Sequence, residues 1–166
     1  MKKTIIKGIG LGAAAFAIFS YAADPPASPP PTEAVHWTFG EVTAFEAKLN
    51  QDPATAAQNP VLTIMNVTER ETIRRTSFGK SGIAEIHANF TDVFCILTGE
   101  GEFVVGGEIV NPNTTNPAEI RGPSIRNGVT KKVGVGDVIV IPPGVPHQIL
   151  VPEGKRMSFM VAKFAK

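Results

Sequence analysis

From Pro60 onward the apolar residues come in short runs, broken every few positions by Gly, Pro, Asn or Asp. Val61 to Met65, Glu71 to Arg74, Ala84 to His87, Val93 to Leu97 and Phe103 to Val105 each suit a strand. So do Val133 to Val135, Val138 to Ile141, Gln148 to Val151 and Met157 to Val161. Val93-Phe94-Cys95-Ile96-Leu97 is apolar on both faces, so both must be covered. That run ends in Thr98-Gly99-Glu100-Gly101, and Phe103-Val104-Val105 runs into Gly106-Gly107; both are tight-turn signals. Asn111 to Gly122, with Pro112, Pro117 and several Asn and Thr, predicts a long surface excursion. Many short strands between such turns predict an all-β fold, a sandwich or a small barrel.

Upstream the period changes. Between Phe39 and Leu49 the residues Val42, Phe45 and Leu49 fall at helical spacing, and Thr38 with Glu41 supplies a capping box for a short N-terminal helix. Gln51 to Pro60 reads as a loop. Before the helix, Pro25, Pro26, Pro29, Pro30 and Pro31 make residues 23–35 an extended tether. Residues 1–22 read as a signal peptide: Lys2, Lys3 and Lys7, an uncharged stretch from Gly8 to Ser20, then Ser20-Tyr21-Ala22 with small residues at the −3 and −1 positions. The apolar stretch falls short of the roughly 20 residues of a membrane span, which predicts cleavage after Ala22 and a periplasmic or secreted product. The folded domain is then expected over residues 36–166.

Composition narrows the function. The whole chain has Lys+Arg 16 against Asp+Glu 15, net +1; without the leader it has 13 against 15, net −2. Neither balance offers the basic face of a nucleic-acid binder, and no membrane partner is expected once the leader is removed. Cys95 is the sole cysteine, which excludes an intrachain disulfide and a Cys-rich zinc site. Inside an apolar strand it reads as a small buried hydrophobe. Arg74-Arg75 and Lys131-Lys132 read as solvated strand edges. Phe94 and Ile96 share the parity of Asp92 and are expected in the core.

Candidate chemistry rests on the histidines. His36 precedes Trp37 and reads as a surface or N-terminal packing residue. Glu85 and His87 are two apart, so on a strand both point to one face. Asp92 opens the next strong strand, and a short turn could bring it beside them. His147 follows the rigid Pro142-Pro143-Gly144-Val145-Pro146 stretch. Spacing alone leaves two readings open: a solvated polar face, or two imidazoles and two carboxylates converging on a divalent transition metal.

The motifs carry a resemblance. Gly136, Pro142, Gly144 and His147 meet the second cupin motif, G-x5-P-x-G-x2-H-x3-N, at every spacing; only Val151 departs, standing in place of Asn. Gly79, Glu85, His87, Asp92 and Gly99 align with the first, G-x5-H-x-H-x3–4-E-x6-G, with Glu85 where His is usual and Asp92 where Glu is usual. The chain thus resembles the cupins over about residues 60–163. The Glu85 to Asp92 segment, the Gly106-Gly107 turn and Glu119-Ile120-Arg121-Gly122 look like a group of small exported cupins. The resemblance implies a jelly-roll β-barrel holding one metal through Glu85, His87, Asp92 and His147. A set with two carboxylates leans toward Fe, Mn or Zn over Cu(I). It further implies a protein that acts on, or binds, a small organic molecule, as a metal-dependent oxygenase or isomerase; the alternative is a non-catalytic small-ligand or sugar-binding module. The two-sided apolar run at Val93 to Leu97 adds the expectation of a homodimer.

Overall fold

Strand alternation sets the architecture. The structure, a computed structural model, describes residues 36, 38–49, 59–67, 71–114 and 116–166. The expected leader, the tether and most of the loop after the helix lie outside the described residues, as do the side chains of Phe45 and Leu49. Helix α1 covers Phe39–Leu49. Its start is capped as expected: the Thr38 backbone N–H donates to Glu41 Oε2 at 2.7 Å, and Glu41 N–H to Thr38 Oγ1 at 3.2 Å. The Thr38 backbone N–H and its hydroxyl, which also donates to Glu41 Oε2 at 2.8 Å, hold the Glu41 carboxyl below its ordinary value.

Among the described residues twelve strands follow: β1 Val61–Val67, β2 Glu71–Phe78, β3 Ala84–His87, β4 Phe90–Thr98, β5 Gly101–Val105, β6 Glu108–Val110, β7 Glu119–Gly122, β8 Ser124–Arg126, β9 Val129–Val133, β10 Val138–Ile141, β11 His147–Leu150 and β12 Met157–Ala165. They form two antiparallel five-stranded sheets, ordered β1-β2-β12-β4-β10 and β7-β3-β11-β5-β9, with β6-β8 as a small third. The two large sheets face one another as a jelly roll, which bears out the all-β expectation. In β4 the residues Asp92, Phe94 and Ile96 point inward, and in β12 so do Met157, Phe159 and Val161. They meet Phe103 and Ile149 of the other sheet in one core, with the Phe94 and Phe103 rings edge to face at 5.0 Å. At the β4–β5 turn Gly99 has φ +74°, and a Cβ there would collide with the Arg156 carbonyl, so only glycine closes this hairpin without strain.

Several expectations need correction. The stretch expected as a surface excursion contains β7: Asn116 accepts from Ala118 N–H through Oδ1 and from Glu119 N–H through its carbonyl, a turn that launches a new strand. Arg74 and Arg75 are not on a solvated edge. β2 is flanked by β1 and β12, which leaves Arg75 only 2% exposed and Arg74 half-buried. Lys131 and Lys132 are exposed on β9, an edge strand, as expected. The strand expected at Val133 to Val135 lies earlier, because that edge accepts the polar Thr130-Lys131-Lys132, while Val135 protrudes 66% exposed from the following turn. Cys95 is half-buried on the outer face of β4 rather than in the core. Among the described residues no helix is long and apolar enough to cross a membrane.

Candidate metal centre

Sheet register brings the chemistry together. In one sheet His87 pairs with Glu119 across β3–β7, Glu85 pairs with Arg121, and Glu85 pairs with His147 across β3–β11. In the facing sheet Asp92 pairs with Lys163 across β4–β12. Directly opposed strand residues lie about 5 Å apart, so each pair can touch without bending the backbone. The loop leading to His147 is tied to the first motif by Gly144 N–H, which donates to the His87 carbonyl at 3.0 Å.

Four side chains expected as ligands therefore converge. His87 Nε2 stands 3.5 Å from Asp92 Oδ2 and 4.0 Å from Glu85 Oε2, and His147 Nε2 stands 3.6 Å from Asp92 Oδ2. Glu85, His87 and His147 form the tightest set, with potential ligand atoms all within 4.8 Å of one another. Asp92 lies against both imidazoles, but outside that set, and the Lys163 ammonium contacts its Oδ2 at 3.1 Å. Arg121 bridges two carboxylates, reaching Glu85 Oε1 at 3.1 Å and Glu119 Oε2 at 3.4 Å.

The far sides of the rings fix their tautomers. His87 Nδ1 sits 2.8 Å and 2.9 Å from the two Glu119 oxygens, and His147 Nδ1 sits 3.2 Å from the Val145 carbonyl. A carboxylate and a carbonyl only accept, so each Nδ1 carries a proton and each ring turns its Nε2 toward the centre. Burial pushes the His147 pKa below its ordinary value, and the charge of His87 adds to this against the opposing pull of Asp92, the Val145 carbonyl and Glu85. At Glu119 burial acts to raise the carboxyl, but the hydrogen bond and charge of His87, with Lys163 and Arg121, outweigh it and hold the group low.

These donors fit a metal. Two ring nitrogens and two carboxylates face one another at separations of 3.5–4.0 Å, which exceed ordinary hydrogen bonds. Metal–ligand distances of roughly 2.0–2.2 Å fit inside such a cluster. Asp92 is 1% exposed, and its Oδ1 has no hydrogen-bond partner among the described residues, an orphan acceptor that a cation would satisfy. The Glu119–His87 pair is the outer carboxylate that metal-bound imidazoles commonly carry.

A cavity of about 390 Å³ opens beside the cluster. Phe78, Phe94, Phe159, Val161 and Ile149 give it apolar walls, while Thr72, Arg74, Asn113, Asn116 and Gln148 give polar ones. Phe94 thus serves both the core and the cavity. His36 is exposed, in keeping with its reading as a surface residue.

Sequence reasoning assigned no role to Glu119, Arg121 or Lys163, and it misplaced Arg74. The signals were phase signals. Glu119-x-Arg121 repeats the two-residue spacing of Glu85-x-His87, and extending the Met157, Phe159, Val161 alternation by one step reaches Lys163.

Known proteins agree with this architecture. The sequence profile described as Cupin matches residues 50–165. No curated protein matches the chain. A solved Klebsiella pneumoniae protein with a double-stranded β-helix domain superposes with TM-score 0.54 at 15% identity, covering 80% of this chain and 91% of that one. The cupin domain of Schizosaccharomyces pombe Cnp3 gives 0.49 at 13% identity over 68% of this chain and 67% of that one. A cupin-2 domain from Rhodospirillum rubrum gives 0.48 at 17% identity over 66% and 62%. With the profile spanning every strand and both histidines of the cluster, the chain belongs to the cupin family.

Proposed function

We propose that this cupin holds one divalent transition ion through Glu85, His87, Asp92 and His147, and uses it to bind or transform a small organic molecule in the adjoining cavity. The carrying observation is the pair of imidazoles whose Nδ1 atoms are occupied by Glu119 and Val145, which turns both Nε2 atoms toward two carboxylates. The donor set favours Fe(II), Mn(II) or Zn(II). When bound, such an ion supplies a Lewis acid able to polarise a substrate oxygen, the chemistry an oxygenase or isomerase would draw on. The chain's own residues orient the rings, exclude water from Asp92 and shape the pocket.

One observation favours the non-catalytic alternative. Lys163 pairs with Asp92, and Arg121 is shared between Glu85 and Glu119, so two cations already offset most of the charge of the three carboxylates without an ion. Elemental analysis after reconstitution with Fe(II), Mn(II) or Zn(II) separates the two. One equivalent of metal, lost in His87→Ala and His147→Ala with the β fold retained, supports the metal centre; no uptake by the wild type leaves the ligand-binding module.

The proposal extends to context. The leader supports export to the periplasm or beyond. The outer face of the sheet end made by β4 and β10, where Val138 and Val140 are 60% and 57% exposed beside Cys95 and Val93, supports a homodimer. A single mature N-terminus at Ala23 in exported protein, and a dimer mass by light scattering at about 10⁻⁵ M, test these two parts.

A further inference from the structure

Three groups converge on one oxygen of Asp92. The Lys163 ammonium lies 3.1 Å from Oδ2, His87 Nε2 3.5 Å and His147 Nε2 3.6 Å. An ion held by both imidazoles and Asp92 therefore has a positive charge as its neighbour. The wider charge count sharpens this. Glu85, Asp92 and Glu119 meet Arg121 and Lys163, which leaves one negative charge around the centre. A divalent ion turns that into one positive charge, beside a carboxylate only 1% exposed, where water screens little. Lys163 is placed to gather the compensating anion. Its side chain is 12% exposed and lines the cavity. Asp92 takes one of its three N–H donors and is its hydrogen-bond partner among the described residues. Directly opposite Lys163 on β2 stands Thr72, buried and lining the same cavity. Thr72, Lys163 and Asp92 thus make one inward row of hydroxyl, ammonium and carboxylate.

We propose that the centre takes up its metal together with one small monocarboxylate, and that Lys163 couples the two. One oxygen of the carboxylate accepts from Lys163 and Thr72, and the other turns to the ion. Its hydrocarbon part lies over Val161 and Phe94, the next row along the same strands. The inference rests on the metal reading above and adds a linkage to it. Without the anion, the ammonium opposes the ion; with it, the same ammonium holds a ligand that the ion also attracts. Whatever factor the carboxylate adds to metal affinity, the metal must add to carboxylate affinity. Removing the ammonium removes the requirement. The three carboxylates and Arg121 then leave two negative charges, which a divalent ion cancels alone.

The test measures Zn(II) affinity by competition with a chromophoric chelator, in perchlorate at one ionic strength, with acetate, its uncharged isostere acetamide, or chloride added. Acetate should raise the affinity about tenfold, chloride less, and acetamide no more than about twofold. Calorimetry should find acetate binding Zn(II)-loaded protein more tightly than metal-free protein by the same factor. Lys163→Met, with its sheets verified by far-ultraviolet dichroism, should bind Zn(II) equally with and without acetate, and Lys163→Arg should keep part of the coupling. The inference is overturned, with the metal centre left standing, if acetate leaves the wild-type affinity unchanged, if chloride or acetamide raises it as much, or if the coupling survives Lys163→Met. No Zn(II) uptake by the wild type in any of these solutions overturns the metal reading and the inference together.

Discussion

Replacing Glu119 by Gln isolates the role of a residue that touches the candidate ligand His87 but does not face the centre. The carboxylate receives the His87 Nδ1 proton through both oxygens, at 2.8 Å and 2.9 Å. A hydrogen bond to a charged group contributes about 1.5–3 kcal/mol, against roughly 1 for a neutral one. Glutamine keeps a neutral acceptor, so only the charge-assisted part is lost. The Glu119 side chain is 27% exposed and shares Oε2 with Arg121 at 3.4 Å, so solvent and the guanidinium already screen it. The difference is about 0.5–2 kcal/mol, and this screening keeps it below the top of the range, at about 1.4 kcal/mol, which is tenfold in metal affinity and lies at the foot of the 10–100-fold range for outer-sphere partners. Competition against a chromophoric chelator measures the affinity, and far-ultraviolet dichroism verifies that the sheets are intact. Affinity within twofold of the wild type, with the fold unchanged, would refute the claim that Glu119 sets the His87 tautomer and basicity for a metal.

The remaining predictions probe the charges and the core. Lys163→Met removes an ammonium 3.1 Å from a buried carboxylate oxygen, so the metal-free protein should lose about 3 kcal/mol of stability in urea titration, while metal affinity rises on the order of tenfold as a competing positive charge disappears. Acidification should destabilise the metal-free protein in two stages. The folded pKa of His147 lies below its ordinary 6.5, so below that pH the unfolded chain gains a proton the folded one refuses; Glu119, held below 4.5, acts in the same sense at lower pH. Thermal melting across that range should show a plateau above 6.5 and a fall beneath it, and a melting temperature that rises on acidification would contradict both assignments. Phe103→Ala, at a fully buried ring against Phe94, should cost about 3–5 kcal/mol by denaturant titration.

The fold was legible wherever local chemistry decides the backbone. The capping residues Thr38 and Glu41, the glycine turn at Gly99 and the strands Ala84–His87 and Val138–Ile141 each follow from neighbours in sequence. Strand ends were harder. β2 and β12 outrun their apolar stretches, to Phe78 and to Ala165, because each is hydrogen-bonded on both sides, and ladder bonds carry a strand through polar residues that propensity would end it on. The same cause misplaced Arg74 and Arg75, since a charged pair looks like an edge until the strand order puts β1 and β12 on either side of it.

The candidate centre divides along the same line. Glu85, His87, Asp92 and His147 were visible because motif spacing fixes them within short segments. Their partners were not, because register joins them: Glu119 is 32 residues from His87, Arg121 is 36 from Glu85, and Lys163 is 71 from Asp92. No pattern within one strand reveals which residue will stand opposite it. Once the register is known, every one of these contacts is a direct cross-strand pair, and a charge on either strand acts on the donor it opposes. The candidate ligands are thus a property of two motifs, whereas their hydrogen-bond partners and charge balance are a property of the sheets. Glu85 in place of a histidine illustrates the difference: it adds a negative charge to the candidate set, and Arg121, one strand away, stands in register to offset it.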